Sequence, residues 1–107
     1  MTLRGYDYDR VLTAGVVPEP PYVVVTGRTL LEYNDGLKAL AQEVPVYVRG
    51  SGPIGHHLSA GLFKSDIIKW LNITTFYEDN DEEIAIIRRN CPRCEVIKVP
   101  QKGADTE

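Results

Sequence analysis

Two aspartates separated by one residue, Asp7 and Asp9, follow the first apolar segment of the chain, residues 3–6. Side chains of an extended backbone repeat every second residue, so both carboxylates should point to the same side. If that segment is a buried strand, both acids lie just beyond its carboxyl end, where open α/β sheets place their active sites. Neighbouring carboxylates repel unless a cation or a proton relieves them. The pair predicts a Mg²⁺ site, a nucleophile with an acid/base partner, or both; a solvated turn is the inert alternative.

Polar residues suited to phosphate chemistry follow two later apolar segments as well. The tripeptide Thr26-Gly27-Arg28 comes after the second segment, and the dipeptide Glu78-Asp79 comes after the fourth. Lys64 lies near the start of the helical pattern that leads into the fourth segment. An acid pair, a hydroxyl, an ammonium group and a second acid cluster suffice to build a phosphate site with its metal ion.

The segments that must position these residues are five short apolar runs rich in β-branched residues. They cover residues 3–6, 22–25, 46–48, 73–77 and 95–99 and alternate with helical patterns. Such alternation predicts a parallel sheet with helices on its faces and right-handed crossovers. We therefore predict one α/β domain over residues 1–100, a three-layer Rossmann-like fold without a cap domain. The first strand should be central, in the order 5-4-1-2-3, because the switch point must lie beside Asp7.

Three helices are predicted between these strands. The first begins at a capping box formed by Thr29 and Glu32 and ends at Pro45. The second precedes the fourth strand, and the third begins at Asp81-Glu82-Glu83, because acids favour a helix N-terminus. Helical spacing predicts the inner face of each helix. These faces are Leu30, Tyr33, Leu37, Leu40 and Val44, then Phe63, Ile67, Trp70 and Leu71, and finally Ile84, Ile87 and Cys91.

The composition of the 107-residue chain is that of an ordinary globular domain, with 43% hydrophobic and 25% charged residues. Its net charge of −3 gives no basic surface of the kind that drives nucleic-acid binding, although a nucleotide or a nucleic-acid end can still be a substrate. No apolar run is long enough to span a bilayer and no signal peptide opens the sequence, which predicts a cytoplasmic protein without a membrane partner. Residues 101–107 are predicted to form a disordered tail, and the oligomeric state stays open.

The two cysteines form a single Cys91-Pro92-Arg93-Cys94 element. No second cysteine pair completes a zinc site, and the element follows a helix, whereas a redox pair normally opens one. We interpret it as a helix end flanked by two semi-buried thiols; a local disulfide is the alternative. His56 and His57 lie in a glycine-rich stretch and are interpreted as loop residues rather than ligands.

The order and spacing of the polar motifs resembles the haloacid dehalogenase-like superfamily, whose members are mostly Mg²⁺-dependent phosphohydrolases. The resemblance covers residues 3–99 and rests on four motifs. They are Asp7-Tyr8-Asp9-Arg10-Val11-Leu12-Thr13, Val23-Val24-Val25-Thr26 continued by Gly27-Arg28, the helical Lys64, and Phe76-Tyr77-Glu78-Asp79. Arg10 replaces the glycine usual in that family, and Glu78 stands where aspartate is more frequent. No cap insertion is visible, which implies a site open to large substrates, including nucleic-acid ends and protein side chains.

The resemblance implies catalytic roles for four residues. Asp7 would attack phosphorus and carry an aspartyl-phosphate, while Asp9 would protonate the leaving oxygen and then activate water, which requires a raised pKa. Lys64 would neutralise charge on Asp7 and on the phosphoryl group, with Lys69 as a rival one turn on. Thr26 would donate a hydrogen bond to a phosphoryl oxygen.

The same resemblance implies the binding residues. Substrate would be bound by Thr26-Gly27-Arg28. Mg²⁺ would be held by Asp7, by the backbone carbonyl of Asp9, and by the Glu78-Asp79 pair, because this ion takes oxygen ligands and keeps several waters.

The sequence as a whole predicts a minimal, capless phosphohydrolase that cleaves a phosphomonoester with Mg²⁺. One alternative is a catalytically silent member of the same superfamily that acts as a binding or regulatory domain. A phosphoacceptor receiver-like domain is another, since it also uses acids and a lysine on a parallel sheet. Its usual order places the acid pair before the phosphorylated aspartate, whereas here the first pair contains the candidate nucleophile and Lys64 precedes the second acid cluster.

Overall fold

The structure is a computed structural model that describes residues 2–50 and 59–100. His56, His57 and the predicted tail 101–107 lie outside the described residues. The five strands are β1 (Arg4–Tyr6), β2 (Tyr22–Thr26), β3 (Val46–Val48), β4 (Thr75–Glu78) and β5 (Glu95–Lys98). The three α-helices of the described ranges are α1 (Asp35–Leu40), α2 (Ala60–Leu71) and α3 (Asp81–Asn90). A wide helical turn, Tyr8–Leu12, follows β1, and a 3₁₀ turn, Leu30–Glu32, follows β2.

All five strands run parallel in one open sheet, in the order β3-β2-β1-β4-β5. Read from the opposite edge, this is the predicted order 5-4-1-2-3, with β1 in the centre. Tyr6 is in register with Val24 of β2 and with Tyr77 of β4, so the chain leaves all three strands at the same edge. The predicted α/β fold with a parallel sheet is therefore confirmed.

One face of the sheet carries most of the apolar core. Because alternate strand residues face the same side, Val23 and Val25 of β2 both point toward α2 and α3. The apolar core cluster on this face includes Val23, Val25, Phe76 and Val96 from the strands, and Phe63, Ile67, Ile84 and Ile87 from the helices. A Cβ atom at Gly5 would lie 2.6 Å from Cδ1 of Phe76, so the glycine in the central strand makes room for that ring.

The opposite face is thinner and largely aromatic. The rings of Tyr6 and Tyr77 stack with centroids 4.4 Å apart, and Tyr22 meets Tyr6 edge-on. Val11, from the turn after β1, packs on Tyr6 as a fully buried side chain. Ala39 and Leu40 of α1, with Leu12 and Tyr22, line a depression on this side, so helical segments cover both faces.

The predicted single helix over 30–44 is wrong. The capping box forms, with the Glu32 carboxylate accepting from the Thr29 amide at 2.9 Å, but it starts only a 3₁₀ turn. The Asn34 side chain then caps α1 by accepting from the Leu37 amide, and an Asn or Asp side chain that bonds its own backbone favours such a new start. Of the predicted apolar stripe only Leu37 is fully buried, and Leu31 beside it in the 3₁₀ turn is 98% exposed.

Smaller departures occur around α2 and α3. Trp70 is 48% exposed rather than buried and meets the ring of Tyr47 edge-on, at 5.7 Å between centroids. The N-cap of α3 is Asn80, one residue before the predicted acidic start.

Cys91 and Cys94 are both buried and unbonded to each other, as the thiol interpretation predicted. No helix in the described ranges is long and apolar enough to cross a membrane.

Candidate functional site

Three buried carboxylates meet at the carboxyl edge of the sheet. Asp7 follows β1, Glu78 ends β4 and Asp79 comes next; because β1 and β4 are parallel neighbours, these residues emerge side by side. Each offers one oxygen, and the three oxygens lie within 4.8 Å of one another. We call Asp7, Glu78 and Asp79 the acid triad. Oxygen-only donors fit a hard divalent cation such as Mg²⁺, so the residues present suit the predicted metal.

Lys64, in the second turn of α2, contacts two members of the acid triad and one further carboxylate. Its Nζ lies 2.6 Å from Oε1 of Glu78, 2.6 Å from Oε1 of Glu83 and 3.1 Å from Oδ1 of Asp7. An ammonium group has three N–H donors, so three carboxylates can engage all of them. The rival Lys69 is exposed and lines a different cavity with Cys91, which leaves Lys64 as the lysine of this site.

Burial shifts the titration of two members of the acid triad. It raises the pKa of Glu78 to about 9 and also raises the pKa of Asp7, in spite of the nearby ammonium group. Burial alone would lower the pKa of Lys64, but the charges of Asp7, Glu78 and Glu83 outweigh it and raise that pKa. Without a cation, Lys64 is therefore charged at neutral pH, while burial favours the protonated form of Glu78. A divalent cation would take the place of that proton.

Glu78 also organises the backbone around the acid triad. Its Oε2 accepts from the amides of Asp79 and Asn80, at 3.2 and 3.3 Å. Asn80 in turn caps α3 by accepting from the Glu83 amide at 3.0 Å. Glu78 stands where the resembled family more often has aspartate. Its longer side chain lets it contact both Lys64 and the backbone amides of the following loop.

Thr26 and Gly27 are tightly packed at the end of β2. Thr26 is fully buried, and its Oγ1 accepts from the Arg28 amide at 3.1 Å, leaving the hydroxyl hydrogen for another acceptor. A Cβ atom at Gly27 would lie 2.9 Å from Cβ of Ala60, so a larger residue would push the start of α2 away. The Gly27 carbonyl accepts from Nε of Arg49 at 2.8 Å.

The carboxylate of Asp9 lies outside the acid triad and is paired with Arg28. Nε and Nη2 of Arg28 contact Oδ2 and Oδ1 of Asp9 at 2.8 and 2.9 Å, and Nη1 donates to the Glu32 carbonyl. This pairing raises the pKa of Arg28, chiefly through the hydrogen bonds that Arg28 donates to Asp9. Asp9 still lines the same cleft as Asp7, but the two carboxylates have separate partners. The acid/base role of Asp9 and the ligand role of its backbone carbonyl stay predictions.

Arg10, which stands where the resembled family usually has glycine, adopts a left-handed backbone conformation. Its φ of 62° lies in the left-handed region, where a residue with a Cβ atom is disfavoured by about 1–2 kcal/mol. The side chain is 68% exposed, and Nη1 lies 4.0 Å from Oδ2 of Asp79. The expected bulkier turn is thus present, with a guanidinium group at the cleft mouth.

All of these residues except Thr26, which is fully buried, line one open cleft of about 460 Å³. Among the described residues its lining includes six carboxyl groups and four basic groups. Three of them, Glu32, Arg49 and Glu83, were not assigned to the site by the sequence reasoning. Arg49 directly follows β3, so the rule that singled out the residues after the other strands would have found it. Glu83 was taken only for a favourable acid in the first turn of α3.

No protein-family model, curated protein or solved structure matches this chain. The resemblance to the haloacid dehalogenase-like superfamily therefore rests on the four motifs and on where the fold puts them.

Proposed function

We propose that this protein is a Mg²⁺-dependent phosphohydrolase of the haloacid dehalogenase-like type, which cleaves a phosphomonoester through an aspartyl-phosphate on Asp7. One observation carries the proposal: the acid triad, with Lys64 3.1 Å from Asp7, lies at the carboxyl edge of a parallel sheet in an open cleft. Nucleophile, cation site and charge-neutralising lysine are then within reach of one phosphoryl group.

The charge of the cleft supports a metal-dependent reaction. Carboxyl groups outnumber basic groups six to four in its described lining, so the cleft by itself repels a phosphate dianion. A cation held by Asp7, Glu78 and Asp79 would supply the positive charge that lets the substrate approach and would stabilise charge on the phosphoryl oxygens.

Asp7 is placed to start the reaction. One carboxylate oxygen forms a bond to phosphorus while the ester P–O bond breaks, and the electron pair leaves with the alcohol oxygen. Lys64 balances the charge on Asp7 before the attack and holds the carboxylate in place through its 3.1 Å contact. Thr26 is fully buried and lies outside the described cleft lining, so its hydrogen bond to a phosphoryl oxygen stays a prediction.

Asp9 is proposed to move the proton. It protonates the leaving oxygen, and then accepts a proton from the water that attacks phosphorus, which releases phosphate and restores Asp7. Asp9 must exchange its contacts with Arg28 for this role, because a protonated carboxyl group pairs poorly with a guanidinium. An anionic substrate provides that exchange, since its oxygens compete with Asp9 for Arg28.

The test is hydrolysis of p-nitrophenyl phosphate and of an alkyl phosphate, with Mg²⁺ or with a chelator. Asp7→Asn, a nearly isosteric change, should abolish turnover of both substrates, whereas Asp35→Asn on exposed α1 is the matched control and should not. Asp9→Asn should slow the alkyl phosphate more, because an activated leaving group needs little protonation. Equal rates for Asp7→Asn and the wild type would exclude Asp7 as the nucleophile.

The Asp9–Arg28 ion pair favours one second candidate, a catalytically silent domain that binds phosphate without hydrolysing it. In that case the acid/base position is permanently occupied. Calorimetry would then detect Mg²⁺-dependent phosphate binding, while a broad panel of phosphomonoesters would give no turnover. Turnover that depends on Asp9 would exclude this candidate.

A further inference from the structure

Charge is distributed unevenly across the cleft. The acid triad and Lys64 lie over β1 and β4, and all four side chains are buried. The side over β2 and β3 carries two arginines, Arg28 after β2 and Arg49 after β3. It also carries the carboxylates of Asp9 and Glu32, so it is less negative than the acid triad side. We call Arg28 and Arg49 the arginine pair.

We infer that the substrate carries a second phosphate or phosphodiester group close to the reacting phosphoryl, and that the arginine pair binds this second group. The inference rests on the proposed function in one respect: the reacting phosphoryl is taken to lie at Asp7. The substrate class is then a phosphomonoester with a neighbouring phosphate, as in a nucleoside bisphosphate or a phosphorylated nucleic-acid end.

The arginine pair is built into the sheet edge. The Arg49 amide donates to the Arg28 carbonyl at 2.8 Å, and Nε of Arg49 donates to the Gly27 carbonyl at 2.8 Å. The first bond fixes the backbone of Arg49, and the second holds its side chain along the wall of the cleft, where it is part of the lining. A guanidinium that is already positioned loses less entropy on binding an anion.

Arg28 retains binding capacity beside its contacts with Asp9. Within the described part of the chain, three of its N–H groups donate to Asp9 and to the Glu32 carbonyl. A guanidinium has five N–H donors, so two remain for an anion. A phosphate group has several acceptor oxygens that carry negative charge. It can therefore accept from both guanidinium groups at once, which a carboxylate does less well.

The sheet geometry limits how far apart the two anionic groups are. Neighbouring strands lie about 4.8 Å apart, and β3 is two strands from β1, so Arg49 starts about 10 Å from Asp7 and reaches toward the cleft. The second phosphate must therefore belong to the same sugar or to the adjacent nucleotide. The net charge of −3 opposes a long polyanion and favours such a compact substrate.

Binding tests the inference without turnover. Calorimetry with the Asp7→Asn protein and Mg²⁺ compares adenosine 3′-monophosphate with adenosine 3′,5′-bisphosphate. We expect the bisphosphate to bind about tenfold more tightly or better, the size of a charge-assisted hydrogen bond. Arg49→Gln should remove most of this preference, and Arg49→Lys should retain part of it, because charge survives while the fork geometry does not. Arg89→Gln is the matched control: it removes an exposed guanidinium at the far end of α3 and should keep the preference.

Kinetics then separates the two sources of the second phosphate. Two substrates with a second anionic group are compared with the 3′-monophosphate: the bisphosphate and a dinucleotide with a 3′-terminal phosphate. For each of them, kcat/KM is divided by kcat/KM of the 3′-monophosphate. A ratio above one for either substrate that falls in Arg49→Gln supports the inference, and the larger ratio identifies the source. The ratio should also fall as salt rises, since part of the contact is exposed.

The outcomes distinguish this inference from the proposed function. Arg49-dependent preference for the bisphosphate in binding, without hydrolysis of any substrate, would refute the phosphohydrolase and keep the second-phosphate site. Hydrolysis with equal kcat/KM for monophosphate and bisphosphate in the wild type would overturn the second-phosphate site and keep the enzyme. A phosphoserine peptide turned over faster than both nucleotides would also overturn it. Circular dichroism of each Arg49 variant shows whether the fold is retained; a misfolded Arg49→Gln leaves the wild-type ratio and Arg49→Lys to decide.

Discussion

The two sides of the cleft are built differently. Over β1 and β4, buried carboxylates surround a buried lysine, and each of the three described ammonium contacts is 3.1 Å or shorter. Over β2 and β3, partly exposed arginines contact one carboxylate and backbone carbonyls, next to the exposed Leu31. The first side is dry and tightly held, as chemistry on a phosphoryl group requires. The second is wet and open, and it is suited to contacts that a substrate can exchange.

The largest effect is expected from removing the lysine on the dry side. Lys64→Met leaves Asp7, Glu78 and Glu83 without their counter-charge, and breaking a buried ion pair in this way costs about 3–5 kcal/mol of unfolding free energy. Urea denaturation measures the loss. Lys69→Met, on the exposed side of the same helix, should change stability by less than about 0.5 kcal/mol. Equal effects of the two changes would contradict the distinction between the two sides.

The dry side should also respond to pH. Burial raises the pKa of Glu78 from 4.5 to about 9, so between these values the native protein binds more protons than the unfolded chain. The unfolding free energy of the metal-free protein should therefore fall as pH rises through this window, by at most about 1.4 kcal/mol per pH unit for one proton. The stabilisation is fully present below pH 4.5 as far as Glu78 is concerned, and is lost above pH 9.

Denaturation in a chelator at several pH values measures this slope. Glu78→Gln cannot titrate and should flatten the curve, whereas Glu43→Gln at an exposed position should leave it as it is. Mg²⁺ should bind with release of protons and more tightly at higher pH, which calorimetry in buffers of different ionisation heat detects. A stability that rises between pH 5 and 9 would show that Glu78 is already ionised in the metal-free protein.

A smaller loss is expected on the wet side. Arg28→Met breaks the bidentate pair with Asp9, but both side chains are partly exposed and solvent screens them, so stability should fall by no more than about 1 kcal/mol. The proposed function adds that KM for phosphomonoesters should rise, because Arg28 binds substrate. Arg89→Met serves as the control for stability. A loss as large as that of Lys64→Met would mean that the two sides contribute alike.

The smallest effect is expected at Arg10, and its sign is favourable. Arg10→Gly relieves the left-handed backbone, worth about 1–2 kcal/mol, while the glycine adds about 0.4–1 kcal/mol of unfolded-state entropy. A net gain in unfolding free energy of up to about 1 kcal/mol should result. Arg10→Ala, which keeps a Cβ atom, separates backbone relief from loss of the guanidinium. An equal gain in Arg10→Ala would contradict backbone relief as the cause, because that variant keeps the Cβ atom and loses only the attraction to Asp79.

The sequence predicted the sheet and the acid triad for the same reason. Strand periodicity and the rule that parallel strands share an edge are both local, so Asp7 and Glu78 could be paired without any knowledge of tertiary contacts. The apolar runs of β2 and β3 are also strong signals, and β3 was predicted with the bounds it has.

The sequence did not predict features that depend on side chains capping the backbone or on contacts between distant residues. The stretch 30–44 has helical spacing, but the Asn34 side chain starts a new helix within it, and spacing alone does not reveal such a cap. Strand alternation grouped Asp9 with Asp7. In the structure the Asp9 carboxylate pairs with Arg28, which lies nineteen positions further along the chain. Glu83 reaches Lys64 across two helices, a contact that no pattern within either helix reveals.

The position of Trp70 has a spectroscopic consequence. It is the single tryptophan of the chain, it is half exposed, and it lies in the last turns of α2, with the ring of Tyr47 edge-on beside it. Lys64 is on the same helix, one and a half turns closer to the cleft. The tryptophan fluorescence of the native protein therefore comes from Trp70 alone. Unfolding will separate Trp70 from Tyr47 and shift the emission maximum. A ligand that settles into the cleft without moving α2 should leave this fluorescence unchanged.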